Sequence, residues 1–371
     1  MKIGVPAETA PNERRVSLVP ETVQKLVSAG HTVFAQAGAG TESGFPDSAF
    51  QAAGAVILPD AAKVAADADL LIQVQAPAAG TVAAMKPGAV LIASLDARTD
   101  PGQLQKLAAA GVTAFAMELV PRIARAQRMD VLSSQASIAG YKAALIAGNL
   151  LGKYLPMMMT AAGTVPPAKV LVLGAGVAGL QAIATSHRLG AVVEAYDVRP
   201  VVKEQVESLG AKFIELPRTE SAEAAGGYAR EQTADEQAQL RQLLADHVAG
   251  SDVVITTAAI PGRPAPKLIT AEMVARMQPG AVIVDLAAET GGNCELTKVG
   301  QVVITENGVR IEGPVNVPST VANDASRLLS RNVAALLDLL IDKEGHLNLD
   351  FEDEIISAMC VTHNGEVRFK P

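Results

Sequence analysis

The chain has 371 residues, more than a single hydrophobic core usually supports, so two domains are expected. Apolar residues make up 49% of the chain and charged residues 19%, which is typical of a soluble globular α/β protein and excludes the disordered class. The formal net charge is −8 and the basic residues are scattered, which argues against nucleic acid or an anionic membrane as a partner.

Cysteine content and hydropathy indicate a cytoplasmic protein. Only Cys294 and Cys360 occur, and no signal peptide precedes the first strand-like segment, MKIGVPA. The most apolar region, residues 143–168, is interrupted by polar, charged, proline and glycine residues. This region is therefore predicted to be buried core and not a membrane span.

Up to residue 120, short β-type runs alternate with helix-type segments. Alternation of this kind predicts βαβ units and a mainly parallel sheet covered by helices. The segments, in chain order, are MKIGVP, PETVQKLVSAG, HTVFAQAG, DSAFQAAG, DLLIQVQAP, AVLIASLDA, PGQLQKLAAAG and VTAFAMELV.

A second alternation follows a change of character in the chain. After the polar segment RIARAQRMD, a long helix is predicted from about Ser134 to Leu155, and a linker with Gly163 and two prolines comes next. A second α/β domain is predicted from AKVLVLGAG onward. Its predicted strands are KVLVLGAG, AVVEAYDV, AKFIEL, SDVVITTA, AVIVDLA and QVVITENGVRIEG.

The amphipathic segment ASRLLSRNVAALLDLLIDKEG follows the turn-rich GPVNVPSTVAND. We predict that it is a helix that packs back on the first domain, which makes that domain discontinuous. The predicted domains are residues 1–132 plus 322–371 for the N-terminal α/β domain and residues 133–321 for the second domain.

The stretch KVLVLGAGVAGLQAIATSHRLGAVVEAYDVRP carries the strongest functional signal. Gly174, Gly176 and Gly179 directly follow an apolar strand and open a helix, and a second strand leads to Asp197. The first glycine permits a tight turn, the second lets the backbone approach a pyrophosphate, and the third lets helix and strand pack closely. The helix N-terminus adds free N–H groups and a partial positive charge. This context predicts a dinucleotide site and disfavours an ordinary strand-turn-helix.

Asp197 bears on the choice of nucleotide. Its carboxylate can accept hydrogen bonds from both ribose hydroxyls and would repel a 2′-phosphate, which favours NAD(H) over NADP(H), although Arg199 nearby weakens this inference. A second glycine-rich stretch, GAGTESG, is interpreted as a loop because Pro46 and Asp47 place the next helix after its glycines. One dinucleotide site is expected. The predicted fold class is α/β, with two Rossmann-like doubly wound parallel-sheet domains and a cleft between them.

Oxidation of an alcohol or amine requires a base, most often His or Lys, that accepts the substrate's proton. None of the five histidines follows a first-domain strand, where catalytic groups of open α/β sheets collect. Those strand ends carry Gln75, Asp96 and Glu118, and the polar cluster RIARAQRMDVLSSQ comes next. The residues alone assign this cluster equally to a solvated helix start or to the lining of a ligand site. Cys294 is interpreted as a packed small residue, since no His or Lys is placed to activate it.

Several segments along the chain resemble one family. GVPAETAPNERRVSLVPETVQKL, VLGAGVAG, YDVRP, DLAAETGGNCELT and VNVPS are similar to the family that joins alanine dehydrogenase to domain I, the NAD(H)-binding component, of proton-translocating nicotinamide nucleotide transhydrogenase. The resemblance covers essentially the whole length. Alanine dehydrogenases carry a Lys in the motif matched by LIQVQAP and a His in the one matched by SLDAR, where this chain has Gln75 and Asp96. An amide and a carboxylate cannot do the work of Lys and His, so the resemblance favours the transhydrogenase branch.

The resemblance implies roles for individual residues. RIARAQRMDVLSSQ is similar to the transhydrogenase signature, which implies that Arg122, Gln127, Asp130 and Ser133 hold the nicotinamide end of NAD(H) at the hydride-transfer site. No proton acceptor is needed there. In the family, the counterpart of Tyr228 lies in a mobile loop and settles over bound nucleotide, which implies that role for Tyr228; the residues alone fit an exposed disordered loop as well. The cofactor-binding candidates are Gly174, Gly176, Val177, Gly179, Asp197, Val198, Arg199, Tyr228 and Ala259.

The resemblance also implies partners. The single glycine-rich motif accounts for one nucleotide, so NADP(H) is expected on a separate domain that docks on this one. A membrane-spanning subunit that moves protons is expected as well. The chain resembles the split form, in which domain I is a separate polypeptide; a fragment of a longer chain is the alternative. The family's habit implies a homodimer, cytoplasmic and peripheral to the inner membrane. No metal site is expected. Two alternatives stay open: an alanine dehydrogenase-like NAD-dependent oxidoreductase, and a non-catalytic NAD-responsive binding module.

Overall fold

The computed structural model describes residues 1–215, 234–259 and 262–370. The chain forms two compact units. Unit 1 comprises Met1–Gln135 and Pro318–Pro371, and unit 2 comprises Ala136–Val317. The C-terminal segment thus belongs to the same unit as the N-terminal sheet.

Strands and helices alternate along the N-terminal segment of unit 1. The elements are β1 (Lys2–Val5), α1 (Pro20–Ser28), β2 (Thr32–Gln36), α2 (Asp47–Ala52), β3 (Val56–Leu58), α3 (Ala61–Asp67), β4 (Leu70–Ile72), α4 (Ala79–Ala84), β5 (Val90–Ala93), α5 (Pro101–Ala109) and β6 (Thr113–Ala116). Helix α6 (Val131–Leu150) then carries the chain from unit 1 into unit 2.

After α6, unit 2 continues with a hairpin and then with a second alternation of strands and helices. The elements are β7 (Met158–Thr160), β8 (Gly163–Val165), β9 (Lys169–Leu173), α7 (Val177–Arg188), β10 (Val192–Tyr196), α8 (Lys203–Ser208), β11 (Lys212–Phe213), α9 (Ala234–Ala249), β12 (Val253–Thr256), α10 (Ala271–Ala275), β13 (Val282–Asp285), β14 (Val302–Ile304) and β15 (Arg310–Glu312). The chain then returns to unit 1 with α11 (Ala322–Leu340), α12 (Glu354–Met359), β16 (Cys360–His363) and β17 (Glu366–Val367).

The sheet of unit 1 has the strand order β17-β16-β6-β5-β4-β1-β2-β3. Strands β1 to β6 pair in parallel, and β16 and β17 add an antiparallel edge. Central strands such as Leu70–Ile72 are buried at every position, as expected for a sheet covered on both faces. Two separate apolar clusters pack on this sheet.

The sheet of unit 2 has the order β11-β10-β9-β12-β13-β15-β14. All neighbours are parallel except β14 and β15. Strands β9, β10 and β11 follow one another towards one edge of the sheet, and β12 then pairs with the other side of β9. The direction of strand addition therefore reverses between β9 and β12. In open α/β sheets, ligands bind beyond the carboxyl ends of the strands at such a reversal. The predicted fold class, α/β with two parallel-sheet-rich domains, is confirmed.

A close backbone contact joins α6 to the start of α7 within unit 2. A Cβ on Gly140 would lie 1.9 Å from the Ala178 carbonyl oxygen, so only glycine allows the two helices to approach this closely. Helix α6 therefore packs directly against the first turn of α7.

Helix α11 packs on the N-terminal segment of unit 1 through serine hydroxyls as well as through its apolar face. Ser326 Oγ accepts a hydrogen bond from the Val16 backbone N–H at 3.0 Å, and Ser330 Oγ accepts one from Val19 N–H at 3.1 Å. Both serines are fully buried. Two backbone donors of the irregular segment before α1 are thus satisfied by α11, as the burial of such groups requires.

Three segments differ from the sequence-based expectations. QVVITENGVRIEG forms two antiparallel strands, β14 and β15, because Gly308 has a φ of +82° and permits a turn between them. Helix α6 stops at Leu150, before Gly152 and Pro156, whereas the expected end was Leu155. The expected linker contains the hairpin β7–β8. In the described ranges, no helix combines the length and the apolar character that crossing a bilayer requires.

Candidate functional site

The glycine-rich turn after β9 is shaped by contacts that exclude side chains. Gly174 has a φ of +98°, and a Cβ there would lie 2.6 Å from Thr257 Oγ1. A Cβ on Gly179 would lie 1.8 Å from the Gly174 carbonyl oxygen. These two glycines are therefore required by the fold of the turn itself. Thr257 Oγ1 also donates to the Gly174 carbonyl at 3.0 Å, which links the turn to the end of β12.

Gly176 differs from the other two glycines because no atom of the described residues crowds it. The nearest such neighbour of a Cβ at this position would be Arg199 Nη2, at 4.0 Å. Gly176 is the N-cap of α7, and it has no side chain of its own to cap the helix. A ligand can thus approach the backbone N–H groups of the first turn, which begins at the half-exposed Val177. This is the geometry that suits a phosphate group at a helix N-terminus.

Asp197 follows β10 and is held next to the glycine-rich turn. Its Oδ2 accepts a hydrogen bond from the Ala175 backbone N–H at 2.7 Å, and its carboxylate forms an ion pair with Arg199. The structure therefore places Gly174, Gly176, Asp197 and Arg199 close to one another. Val198, also predicted to contact the nucleotide, packs its partly buried side chain on the core of unit 2.

The loop after β12 is fixed by a side chain that the sequence analysis did not identify. Asn293 is fully buried, accepts a hydrogen bond from Ala258 N–H at 3.1 Å, and donates to the Ala258 and Pro266 carbonyls, each at 2.8 Å. The adjoining Ala259, a cofactor-binding candidate, is exposed. Thr257 was missed too, although a polar residue directly after an apolar strand was a usable signal. Tyr228 lies outside the described residues.

In unit 1, the polar cluster before α6 contains a helix cap. Asp130 accepts hydrogen bonds from Ser133 N–H at 2.9 Å and from Ser133 Oγ at 2.6 Å. This contact satisfies a donor in the first turn of α6 and has the geometry of an N-cap. Arg122 and Gln127 lie on the preceding segment with exposed side chains. That segment is anchored by Ala126 and Met129, which are buried in the core of unit 1.

The strand ends of unit 1 hold an internally paired network. Arg15 donates from Nε and Nη2 to the two carboxylate oxygens of Glu13, at 2.7 and 2.6 Å, and both side chains are buried. Arg15 Nη1 donates to Gln135 Oε1 at 2.9 Å, and Gln75 Nε2 donates to Glu13 Oε2 at 2.9 Å. The guanidinium therefore already has a bidentate carboxylate partner from its own chain.

The neighbouring turn at Asp96 is supported by Glu118. Asp96 has a φ of +50°, which is uncommon for a residue other than glycine. Glu118 accepts hydrogen bonds from Leu95 N–H at 3.1 Å and Ala97 N–H at 3.0 Å, on either side of Asp96. Burial raises the pKa of Glu118. The carboxylate therefore has a structural role that holds a strained turn.

Glu8 gives unit 1 a testable pH dependence. Its carboxyl group accepts hydrogen bonds from Val74 N–H at 2.6 Å and Gln75 N–H at 3.2 Å, and burial raises its pKa from 4.5 to about 7. The folded chain thus holds this proton more tightly than the unfolded chain. The resulting stabilisation is complete below pH 4.5 and is lost as the pH rises towards 7.

We expect Glu8→Gln to remove this pH dependence. The free energy of unfolding of the original chain should fall, relative to that of Glu8→Gln, by on the order of 3 kcal/mol across this pH range. The measurement is urea unfolding followed by circular dichroism at a series of pH values. Glu42→Gln, which removes an exposed carboxylate of unit 1, is the control. A constant difference between the original chain and Glu8→Gln would contradict the assignment.

Cys294 is fully buried, and burial raises its pKa to about 11. Its thiol is therefore protonated near neutral pH, which is unsuited to a nucleophile. The backbone around it is organised by Asp285, which accepts hydrogen bonds from Cys294 N–H at 3.0 Å and Thr297 Oγ1 at 2.7 Å. Both residues serve the structure of unit 2.

Comparison with known proteins adds to this geometry. Residues 4–139 match the family model "Alanine dehydrogenase/PNT, N-terminal domain", and residues 143–370 match "Alanine dehydrogenase/PNT, C-terminal domain". The chain is 49% identical over 375 residues to the first part of NAD(P) transhydrogenase subunit alpha of Rhodospirillum rubrum, covering 99% of this chain and 97% of the relative. Alanine dehydrogenase of Bacillus subtilis is 31% identical over 377 residues, covering 100% and 93%. The crystal structure of transhydrogenase from Sinorhizobium meliloti superimposes with a TM-score of 0.86 at 46% identity, covering 99% and 98%.

Proposed function

Because this chain belongs to the alanine dehydrogenase/PNT family, we propose that it is the NAD(H)-binding component of a transhydrogenase. In this proposal a hydride passes directly between NADH on this chain and NADP⁺ on a separate partner domain. The higher identity to the transhydrogenase subunit, 49% against 31% for the alanine dehydrogenase, supports this branch of the family.

Two observations together carry the proposal. Unit 2 has a glycine-rich turn that suits a dinucleotide, and the strand ends of unit 1 lack the Lys and the His that alanine dehydrogenases carry there. Oxidation of alanine requires a base, whereas direct transfer between two nicotinamides does not. Gln75 stands where alanine dehydrogenases carry Lys, and its amide is used to bind Glu13. Asp96 stands where they carry His. Arg15 is neutralised by Glu13, so it does not offer an open site for a substrate carboxylate.

The residues of unit 2 are proposed to bind the adenosine and diphosphate part of NAD(H). The N–H groups after Gly176 would receive the diphosphate, and Asp197 would accept hydrogen bonds from the ribose hydroxyls. The open space at Gly176 fits this role, since a side chain there would meet the ligand before any described atom of the protein. Ala259 and the backbone at Val198 are proposed to adjoin the nucleotide.

The cluster in unit 1 is proposed to act on the nicotinamide end. Arg122 and Gln127 supply exposed donors for a carboxamide, ribose or diphosphate group, and the Asp130–Ser133 cap maintains the local backbone. When bound, NADH supplies the hydride. These side chains orient the ring and require no change of protonation state.

We further propose that the chain works in an assembly. Partners would be an NADP(H)-binding subunit and a membrane-spanning subunit that couples hydride transfer to proton translocation, with this chain cytoplasmic and peripheral to the inner membrane. The Rhodospirillum rubrum relative is named as one portion of an alpha subunit, which supports a component of a larger complex. A homodimer is the expected form of this component.

The proposal predicts activity only in the presence of the partner. The purified chain should bind NADH more tightly than NADPH by at least about tenfold, as expected when a 2′-phosphate meets a ribose-binding carboxylate. It should reduce NADP⁺ only after addition of the NADP(H)-binding domain. Fluorescence titration and a coupled absorbance assay measure the two steps. Steady NADH formation from L-alanine and NAD⁺ would identify an alanine dehydrogenase instead, and binding without transfer would identify a non-catalytic module.

A further inference from the structure

The carboxylate of Asp197 has its hydrogen-bonding capacity filled by its own chain. Oδ1 accepts from the Arg199 backbone N–H at 2.8 Å and from Arg199 Nε at 2.9 Å. Oδ2 accepts from Ala175 N–H at 2.7 Å and from Arg199 Nη2 at 2.8 Å. A carboxylate offers about four acceptor sites. A ribose hydroxyl can therefore bind Asp197 only if one of these donors leaves.

The four donors differ in how easily they can be displaced from the carboxylate of Asp197. The Ala175 N–H is part of the backbone of the glycine-rich turn, and the Arg199 N–H is part of the backbone after β10. Their displacement would therefore rearrange the fold. The guanidinium of Arg199 is on a flexible side chain and can rotate away. It lies beside the turn, because its Nη2 is the nearest described atom, apart from the adjoining residues of the chain, to a Cβ placed on Gly176, at 4.0 Å.

We propose that Arg199 is a specificity-determining residue that reduces the preference of this site for NAD(H) over NADP(H). This inference rests on the proposed function, because it assumes that the ribose of NAD(H) binds Asp197. The guanidinium competes with the ribose hydroxyls of NADH for the carboxylate. It also neutralises that carboxylate and offers a bidentate partner to a 2′-phosphate, so NADPH is repelled less strongly.

The experiment compares NADH and NADPH, which differ only in the 2′-phosphate. Fluorescence titration of the full chain gives both dissociation constants for the original chain, Arg199→Met and Arg199→Lys. For Arg199→Met, the ratio of the NADPH constant to the NADH constant should rise by at least about tenfold, because the carboxylate is no longer neutralised. Arg199→Lys keeps the charge without the bidentate geometry and should give an intermediate ratio.

Arg188→Met is the matched control, because it removes an exposed positive charge at the end of α7 and should leave the ratio unchanged. Thermal unfolding of each variant shows whether it is folded. If Arg199→Met does not fold, the comparison of the original chain with Arg199→Lys decides the test. An ion pair that only stabilises the loop would shift both constants equally, and an unchanged ratio would overturn the proposal. Failure of the original chain to bind NADH would instead contradict the proposed function itself.

Discussion

Replacing Gly179 with alanine should destabilise unit 2 by about 3 kcal/mol or more, because the new methyl group overlaps a backbone atom that cannot rotate away. The Cβ would lie 1.8 Å from the Gly174 carbonyl oxygen, inside the nucleotide turn. Since this turn is the proposed diphosphate site, the loss of its geometry should weaken NADH binding on the order of 100-fold, the equivalent of about 3 kcal/mol. Chemical unfolding and NADH titration measure the two effects.

Gly80→Ala is the matched control for this substitution. Gly80 lies in α4, and a Cβ there would have no described neighbour within 4 Å. Alanine should therefore be neutral or stabilising by up to about 1 kcal/mol, through lower backbone entropy in the unfolded chain. If Gly179→Ala and Gly80→Ala had the same effect, the close packing of the turn would be refuted.

Substitution of the unit 1 cluster should separate hydride transfer from stability. Arg122→Ala and Asp130→Asn are each expected to slow NADH-to-NADP⁺ transfer by about 100-fold, the size of effect that loss of substrate positioning produces. Arg122 is exposed, and asparagine at 130 keeps an oxygen that can accept from Ser133 N–H. The free energy of unfolding should therefore change by less than about 1 kcal/mol.

Arg128→Ala supplies the comparison within the same segment. The Arg128 side chain is 80% exposed and its ion-pair contact with Asp338 is 3.9 Å long, so its removal should affect neither the transfer rate nor the stability. Rates are measured with the partner domain present, and stability by urea unfolding. Should Arg122→Ala and Arg128→Ala transfer hydride at the same rate, the assignment of the cluster would be wrong.

Sequence reasoning worked where the structure depends on residues close together in the chain. The glycine-rich turn after β9 is local: a strand, three glycines at short spacing and a helix are all recognisable within one stretch. The steric contact between Gly174 and Gly179 follows from that spacing. The fold class was also accessible, because fully buried parallel strands appear in the sequence as continuous apolar runs separated by helix patterns.

The features that sequence reasoning missed depend on residues far apart. Gln75 donates to Glu13 across 62 positions, and Arg15 donates to Gln135 across 120. Such pairs are created by the order of strands in the sheet, which no local pattern specifies. Asn293 is a similar case, since it organises the Ala258 backbone 35 positions away. Arg199 lies near Asp197 in sequence, but the saturation of the carboxylate is visible only from the four distances.

The buried pair of Glu13 and Arg15 has a consequence for redesign of this scaffold. A small carboxylic acid that binds the guanidinium of Arg15 would have to compete with Glu13, which belongs to the same chain and already pairs with that guanidinium. An attached anion at contact distance has an effective concentration that a dissolved acid cannot match. Changing Gln75 and Asp96 alone would leave that competitor in place, so Glu13 would have to be replaced first, with some other group left to balance a buried cation.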